Sequence, residues 1–291
     1  MKSYALFLGC LIPMKLPQIE LASRSALAKL GVKVEDIEGF SCCPEPWNFK
    51  GTDVDAWLKV AGRNLAVAEK KKMDVITLCN GCSASLIEAS HLLGDGGEAA
   101  AEAAKALSGA GYKYEGKTKA VHAVTVLDRE LGRDKVEKSC SRKLDGLKVA
   151  VHYGCHLLRP SDVMALDDPF EPTFLDGLVD ATGAESVDYA GKMGCCGSAA
   201  LDKEISLGIA RDKVKAMEDA GAQCLVVTCP ACFDQFDLGQ VEMGRRGGEK
   251  HALPVLHYFQ LLAIAQGEDP EKLAFSRHKI KVDPLLKAVV R

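Results

Sequence analysis

The stretches DVITLCNGC, residues 74–82, and CLVVTCPAC, residues 224–232, share one design. Each starts as a short apolar run with the length and composition of a buried strand, and each ends on a C-x-x-C pair. The sequence after each pair predicts a helix, so both pairs are expected at a strand-to-helix turn. Free backbone N–H groups at a helix N-terminus stabilise thiolates, and the two-residue spacing lets both sulfurs face one metal ion.

Three further cysteines precede each C-x-x-C pair, so that ten of the twelve cysteines form one pattern written twice. The first cysteine set is Cys10, Cys42, Cys43, Cys79 and Cys82, with gaps of 31 and 35 residues. The second cysteine set is Cys155, Cys195, Cys196, Cys229 and Cys232, with gaps of 39 and 32 residues. Four thiolates complete a tetrahedral zinc site or an ordinary cubane iron–sulfur cluster. Five thiols, supplied twice, therefore predict two metal centres of unusual shape.

The adjacent cysteines within each set need a bend in the chain. Successive side chains of a strand point to opposite faces, so neighbouring thiols reach one centre only where the backbone turns. Pro44 and Pro46 follow the first pair, and Gly194 and Gly197 flank the second, and these residue types favour turns. Two neighbouring thiolates reach different irons, or bridge them, more readily than they share one tetrahedral corner. The pattern favours an opened, non-cubane cluster.

Zinc, disulfide bonds and an inert cysteine-rich core are the alternative explanations. Zinc would leave one thiolate unused in each set and would not account for the adjacent pair. Disulfide bonds do not fit a reducing compartment, where clustered cysteines indicate metal or redox chemistry. Cys140 and Cys224 lie outside the pattern and are expected to be inert.

Composition and charge exclude several classes of protein. The 291 residues are 47% hydrophobic and 26% charged, which is ordinary for a globular protein with a substantial core. The net charge of −3 does not favour a nucleic-acid partner. No apolar run approaches the roughly 20 residues of a transmembrane helix, so no membrane partner is expected. The nine residues before Cys10 are too few for a signal peptide. We therefore expect a cytoplasmic protein.

Strand and helix patterns alternate along the chain, which predicts an α/β fold of two similar halves related by a pseudo-two-fold duplication. Each half is expected to hold a small, mostly parallel sheet with flanking helices. Predicted strands lie at 4–8, 32–37, 74–78, 148–153, 186–189 and 224–228, and predicted helices at 17–30, 54–71, 171–182 and 203–220. Because loops at the carboxyl ends of parallel strands share one edge, each set should converge there.

The charged stretch at residues 132–147 is the expected boundary between the halves. The predicted domains are residues 1–140 and residues 141–291, each with its own metal centre. An Ala- and Gly-rich insertion at 94–119 is expected to form a helix and loops without chemistry.

The duplicated C…CC…C-x-x-C pattern resembles the cysteine-rich CCG-domain family, and Cys195-Cys196-Gly197 spells its name. The first copy departs from it with Pro44 but keeps its thiols. Within the family, the chain resembles the B-subunit type of methanogen heterodisulfide reductases, because both copies keep all five cysteines. Fused relatives, such as thiol:fumarate reductase and the iron–sulfur subunits of glycolate oxidase, carry a ferredoxin-like C-x-x-C-x-x-C-x-x-x-C run, which does not occur in this sequence.

The resemblance implies a catalytic polypeptide that reduces the mixed disulfide of coenzyme M and coenzyme B. Each cysteine set would hold a non-cubane [4Fe–4S] cluster, and both clusters would face one cavity. Electrons would come from the C and A subunits of heterodisulfide reductase, which carry cubane clusters and FAD respectively. A hydrogenase or a formate dehydrogenase would feed this assembly.

The duplication itself indicates a mechanism. A disulfide needs two electrons and a cluster usually passes one, so we expect each cluster to deliver one electron and the S–S bond to split homolytically. Thiol–disulfide exchange through a C-x-x-C pair is the alternative mechanism. Two other functions also stay open: an electron-relay component of another CCG-domain oxidoreductase, of fumarate/succinate, glycolate or lactate type, and a zinc-bound scaffold without enzymatic activity.

Residues near the cysteines are candidates for contacts with the substrate. The sulfonate, carboxylate and phosphate of the implied disulfide would need cations, and those nearest in sequence are Lys15, Lys50, Arg159 and Lys192. Taken one at a time, each of these four residues is more often a solvated surface charge than a substrate contact.

His156 follows Cys155 and could donate a proton, although an isolated histidine is more often structural. His122 and His257 occupy matching places in the two halves, which favours a structural role for both. Trp47 is expected to pack over a cluster and exclude water.

Overall fold

Two four-stranded parallel sheets form the centre of the fold in a computed structural model, which describes residues 3–247 and 250–289. The first sheet has the order β2-β1-β3-β4, with β1 Ser3–Phe7, β2 Lys33–Glu35, β3 Asp74–Thr77 and β4 Ala120–His122. The second sheet has the matching order β6-β5-β7-β8, with β5 Lys148–His152, β6 Glu185–Val187, β7 Cys224–Val227 and β8 Val255–His257. The predicted α/β fold of two similar parallel halves is confirmed.

Helices connect the strands and cover the sheets. Those that follow β1 to β4 in the first half are α1 Leu11–Lys15, α2 Pro17–Lys29, α3 Asn48–Thr52, α4 Val54–Lys70, α5 Asn80–Gly94, α6 Glu98–Gly109, α7 Ala123–Thr125, a π-helical segment Val126–Leu131 and α8 Arg133–Ser139. Those of the second half are α9 Ser161–Met164, α10 Phe174–Asp180, α11 Lys203–Asp219, α12 Pro230–Gly247, α13 Tyr258–Ala265, the 3-10 turns Pro270–Leu273 and Phe275–Arg277, and α14 Asp283–Val289.

Local capping explains where the observed elements depart from the predicted ones. The helix predicted from residue 171 begins at Phe174, because the Asp167 carboxylate accepts hydrogen bonds from the backbone N–H groups of Thr173 and Phe174. The long helices α4 and α11 both start after an aspartate, Asp53 and Asp202, whose side chain accepts the backbone N–H of the residue three positions later. The insertion predicted at 94–119 contributes α6. The domain division at residue 140 stays a prediction.

The register of the parallel strands brings the functional loops to one edge of each sheet. Phe7 pairs with Thr77 and Thr77 with His122, while His152 pairs with Val227 at the corresponding position of the second sheet. The carboxyl ends of neighbouring strands therefore lie side by side, and the loops that carry the cysteines leave each sheet at this edge.

Two histidines join the halves at this edge by reciprocal hydrogen bonds. The ring Nε2 of His122 lies 3.1 Å from the carbonyl oxygen of Thr228, and that of His257 lies 3.1 Å from the carbonyl oxygen of Leu78. Both rings are buried, and each Nδ1 accepts a backbone N–H group at the start of its own following helix. The structural role expected from the matching positions of these histidines agrees with this arrangement.

Packing of α2 against α13 and polar contacts nearby also join the two halves. Lys29 forms an ion pair of 2.7 Å with Glu268, and Ser25 donates a hydrogen bond to the same carboxylate. The side-chain amide of Gln266 also reaches the carbonyl oxygen of Ala26.

Replacing either histidine with phenylalanine should weaken the joint between the halves. His122→Phe or His257→Phe leaves a buried carbonyl without its donor, so we expect each to lower the free energy of unfolding by about 1–3 kcal/mol. His91 is exposed, and His91→Phe is the control that should stay within about 0.5 kcal/mol of wild type. Denaturant unfolding of the protein under anaerobic conditions measures the change. Equal free energies of unfolding for all three variants would show that these hydrogen bonds do not stabilise the contact between the halves.

The same histidines should make stability depend on pH. Burial lowers the pKa of His122 to about 3 and that of His257 to about 4. In the unfolded chain each titrates near pH 6.5. Below about pH 6.5 the unfolded state binds protons that the folded state does not, so stability falls as the pH decreases, by up to ~1.4 kcal/mol per unit per histidine. Unfolding between pH 7.5 and 5.5 should show a flatter dependence for His257→Phe than for wild type.

Candidate metal centre

Two glycines at the ends of central strands let the first cysteine of each set approach its C-x-x-C pair. Gly9 and Gly154 both adopt left-handed backbone conformations, with φ of 65° and 68°. A Cβ on Gly9 would lie 2.7 Å from the sulfur of Cys82, and one on Gly154 would lie 2.9 Å from Nδ2 of Asn80 and 3.5 Å from the sulfur of Cys232. Other residues would meet both a strained φ and a close contact, so glycine is required here.

The C-x-x-C pairs occupy equivalent strand-to-helix turns, as predicted. The backbone carbonyl of Cys79 accepts from the N–H of Ser83 at the start of α5, and that of Cys229 accepts from the N–H of Phe233 in α12, each at 2.9 Å. All four cysteines of these pairs are buried. Each pair thus lies where a helix leaves its first N–H groups free to stabilise negative charge.

Hydrogen-bonding contacts join all ten patterned thiols into one continuous run. Its order is Cys10, Cys42, Cys43, Cys82, Cys79, Cys229, Cys232, Cys196, Cys195 and Cys155. The two sets meet at its middle, where the sulfurs of Cys79 and Cys229 lie 3.9 Å apart. Exchanging each cysteine for its equivalent in the other half gives the same run, read from its other end. The structure therefore brings the ten predicted residues into one place, as two mirrored sets in contact.

The adjacent cysteines lie on irregular loops, where the bends were predicted. In each pair one thiol is exposed and the other is buried: Cys42 and Cys195 are exposed, whereas Cys43 and Cys196 are buried. The N–H of Gly197, whose φ is 90°, donates to the sulfur of Cys195 at 3.3 Å. Because the backbone bends at each pair, both adjacent thiols can join the same group of sulfurs.

Matching residues on α4 and α11 hold these loops in place. The side chain of Asn64 donates to the carbonyl oxygen of Cys42 at 3.0 Å and accepts the N–H of Ser41 at 2.9 Å. Lys213 stands at the corresponding position of α11, and its Nζ donates to the carbonyl oxygens of Gly191 and Lys192. One neutral and one cationic residue thus do the same structural task.

The pKa shifts within this run of thiols indicate that positive charge is needed to ionise all of them. The pKa is lowered to about 4 at Cys43, to about 2 at Cys195 and well below its usual value at Cys229, because each accepts hydrogen bonds from the thiols on both sides. The same contacts and burial raise the pKa of the neighbouring thiols Cys42, Cys79, Cys82, Cys155, Cys196 and Cys232. Thiols this close cannot all ionise alone, whereas iron ions between them would hold all ten as thiolates. The donor set suits iron–sulfur binding.

A pocket opens against the second cysteine set. Its lining includes Cys155, Cys195, Cys229 and His156 of the second half, together with Trp47 of the first half. The Trp47 and His156 rings lie 5.4 Å apart between centroids. Both halves therefore contribute to one cavity beside the meeting point of the thiols, and the predicted water-excluding role of Trp47 stays a prediction.

Asn80, inside the first C-x-x-C pair, ties this pocket wall to the second half. Its side chain donates to the carbonyl oxygen of Tyr153 at 2.7 Å and accepts the hydroxyl of Thr228 at 2.9 Å. Its counterpart in the second half is Pro230, so this bridge exists once. No motif in the sequence singles out Asn80, because its partners come from the other half.

The predicted proton donor, His156, lies at the pocket beside the second set. Its Nδ1 is 3.1 Å from the sulfur of Cys155, and burial lowers its pKa. The location is compatible with proton delivery, and that role stays a prediction.

The four cations proposed as substrate contacts each have a partner within the protein. The pairs are Lys15 with Asp234 at 3.2 Å, Lys50 with Glu88, Arg159 with the carbonyl oxygen of Pro169 at 2.7 Å, and Lys192 with Asp176 at 2.7 Å. None of the four belongs to the lining of the pocket, as far as residues 3–247 and 250–289 define it. Their role as substrate contacts stays a prediction.

The two cysteines outside the pattern also lie outside the run of thiols. Cys224 is fully buried on β7, where burial raises its pKa to about 12. The thiol of Cys140 donates to the carbonyl oxygen of Val136 at 3.3 Å, and burial raises its pKa as well. Raised pKa values keep both thiols protonated, which agrees with their expected inertness.

Comparison with known proteins agrees with the duplicated cysteine pattern. The family model described as a cysteine-rich domain, CCG, matches residues 4–87 and 149–237. The chain belongs to this CCG family. Its two matched segments contain the two cysteine sets, with one CCG copy in each half.

Two relatives of the chain are named as subunits of reductases. The B subunit of the ferredoxin/F(420)H(2)-dependent CoB-CoM heterodisulfide reductase of Methanosarcina acetivorans is 40% identical over 97% of this chain and 95% of its own length. The "8-methylmenaquinol:fumarate reductase membrane anchor subunit" of Wolinella succinogenes is 29% identical over 98% of this chain and 99% of its own.

A crystal structure of a hypothetical protein from Helicobacter pylori has the same fold, with a TM-score of 0.77. The match covers 97% of this chain and 52% of that one at 16% identity, and it supports the fold alone. Across the residues that the structure describes, none of the helices combines the length and apolar character needed to cross a membrane.

Substituting alanine at Gly9 should disrupt metal binding at the first set alone. Gly9→Ala pushes against the sulfur of Cys82 and strains a left-handed φ, so we expect about half of the bound iron to be lost. Gly146 has a similar φ of 79° but open space around its Cβ position, and Gly146→Ala is the matched control. Iron per chain, measured after anaerobic reconstitution, should fall in Gly9→Ala and stay near wild type in Gly146→Ala. Full iron in Gly9→Ala would contradict this geometry.

Proposed function

We propose that the chain is the catalytic component of a heterodisulfide reductase, which reduces the mixed disulfide of coenzyme M and coenzyme B to two thiols. Each cysteine set would hold one non-cubane [4Fe–4S] cluster. The contact of 3.9 Å between the sulfurs of Cys79 and Cys229 carries this proposal, because it brings the two sets together beside one pocket. Bound there, the clusters would supply one electron to each sulfur of the disulfide.

The overall reaction consumes two electrons and two protons for each disulfide. The S–S bond breaks, each sulfur gains one electron and one proton, and two thiols leave. His156 at the pocket is the proposed proton source for one sulfur. Cysteines that ligate iron have no free thiolate for attack, which argues against thiol–disulfide exchange as the mechanism.

The protein residues would bind and orient the substrate, whereas the clusters supply the electrons. Trp47 stands on the pocket wall, and Gly81 lies beneath it, since a Cβ on Gly81 would be 2.8 Å from the indole ring. This packing would hold the indole over the bound disulfide, where it would limit the entry of water.

The proposed anion contacts would have to exchange a protein partner for the substrate. The side chain of Lys15 is 55% exposed, against 17% for that of Lys192. An exposed ion pair is worth little, so Lys15 can turn to a phosphate or sulfonate at small cost. Lys50 and Arg159 would have to leave Glu88 and the carbonyl oxygen of Pro169.

The proposed partners are those of a cytoplasmic heterodisulfide reductase complex. Its C subunit with cubane clusters and its A subunit with FAD would pass electrons to the chain, and a hydrogenase or a formate dehydrogenase would supply them. The name of the Methanosarcina acetivorans relative, which describes the B subunit of such a reductase, supports an assembly of this kind.

An electron-relay role in another reductase is the second candidate. The similarity to the fumarate reductase component of Wolinella succinogenes favours it. A relay would pass electrons onward without binding a disulfide, so the two functions differ in whether the pocket takes part in chemistry.

Serine replacements in the second set test the proposal. With Cys155→Ser and Cys195→Ser, we expect iron to fall from about eight to about four per chain and disulfide reduction to stop, because both clusters are needed. Turnover is measured with an artificial one-electron donor on the complete complex, and Cys224→Ser is the matched control that should keep both iron and activity. Intact turnover in the Cys155→Ser variant would contradict the two-cluster mechanism. Iron near eight without any disulfide reduction in wild type would favour the relay.

A further inference from the structure

The two halves differ at two buried positions that flank the cysteine sets. The last residue of β1 is Phe7, whereas the last residue of β5 is His152. At the eleventh residue of α4 the first half has Asn64, whereas the eleventh residue of α11 in the second half is Lys213. The second set thus has two polar, hydrogen-donating neighbours where the first has a phenyl ring and an amide.

His152 is buried with both ring nitrogens lacking a partner in the described part of the chain. Its side chain is 1% exposed, and its ring packs edge-on against Phe236 at 5.2 Å. The ligand atoms of His152, Cys196 and Cys232 all lie within 4.8 Å of one another. A neutral imidazole always carries one N–H group, and a buried N–H without an acceptor is strongly disfavoured. The sulfurs of Cys196 and Cys232 are the candidate acceptors, because they belong to this group of neighbouring atoms.

The corresponding position of the first set offers no such donor. Phe7 packs edge-on against Phe40, with 4.9 Å between ring centroids, and both side chains are apolar. A hydrogen bond toward the metal centre is therefore available in the second half alone at this position.

Lys213 brings a positive charge to the same set. Its Nζ donates to the carbonyl oxygens of Gly191 and Lys192 and lies 5.5 Å from the Tyr189 ring. No carboxylate pairs with it among the ion pairs that the structure describes, and the charges that act on it are those of Cys195, Cys196 and Cys232.

We propose that His152 and Lys213 make the two metal centres unequal, giving the second cluster the higher reduction potential. An added electron increases negative charge, and a hydrogen bond to a cluster sulfur and a nearby cation both stabilise that charge. An electron that enters the protein therefore settles first on the second cluster. This inference rests on the proposed two-cluster function.

The position of the pocket suggests what a difference in reduction potential between the two clusters would do. The thiols in its lining all belong to the second set. The cluster that holds the first electron is thus the one that faces the pocket directly. The substrate meets a reduced centre before the first set is charged.

Potentiometric titration of the complete protein, followed by electron paramagnetic resonance, tests the inference. In wild type we expect two one-electron steps at separate midpoints. His152→Phe and Lys213→Asn install the first-half residues, and each should lower the higher midpoint by ~59 mV, a ten-fold change in the reduction equilibrium. The lower midpoint should not move.

Matched variants separate charge and hydrogen bonding from packing. Lys213→Arg keeps the charge, His152→Gln keeps an N–H donor, and Lys215→Asn removes an exposed charge from the same helix, so all three should keep the higher midpoint close to wild type. Equal midpoints in wild type, or no shift in both His152→Phe and Lys213→Asn, would overturn the inference.

Iron content keeps this result distinct from a failure of the proposed function. About eight irons per chain with equal midpoints would refute the inequality and leave the two-cluster proposal standing. About four irons or fewer in wild type would refute the two-cluster proposal itself, and the inference with it.

Discussion

The contact between the sulfurs of Cys79 and Cys229 is the constraint on which the site depends. It places the N-termini of α5 and α12 beside each other, and in α12 the backbone N–H groups of Ala231 and Cys232 donate to the sulfur of Cys229. The surrounding bonds maintain it from both sides: His122 and His257 each reach the residue that precedes the other half's first C-x-x-C cysteine. Without this joint, the duplicated pattern would form two separate sites of five thiols.

Crowded thiols make the site incomplete without positive charge. Ten sulfurs in one run, six of them buried, cannot all be anionic in the absence of cations. The fold supplies partial positive charge at helix N-termini and, in the second half, the amine of Lys213. Those contributions are small against ten thiolates, so bound metal ions would have to balance most of their charge. The same crowding that destabilises the free thiols makes the set a strong ligand for iron–sulfur clusters.

Much of the fold and the set of cysteine ligands can be predicted from the sequence. Short apolar runs indicate buried strands, and the Gly-Cys or C-x-x-C residues at their ends mark where each strand stops. The approach of the two sets does not follow, since it depends on how two separately patterned halves pack. The sequence predicts His152 only as the end of a buried strand. That its ring nitrogens lack a partner and lie near Cys196 and Cys232 is seen only in the structure. Asn80 is hidden for a similar reason: both its partners lie in the other half.

An iron-edge anomalous difference map of the iron-loaded protein tests the central claim most directly. We predict two separate groups of iron, one within each cysteine set, on either side of the Cys79–Cys229 contact and with the pocket beside them. The iron positions within each group should be those of an opened cluster held by five thiolates. A single group of iron, two cubanes held by four cysteines each, or signal at the zinc edge instead of the iron edge would contradict the account.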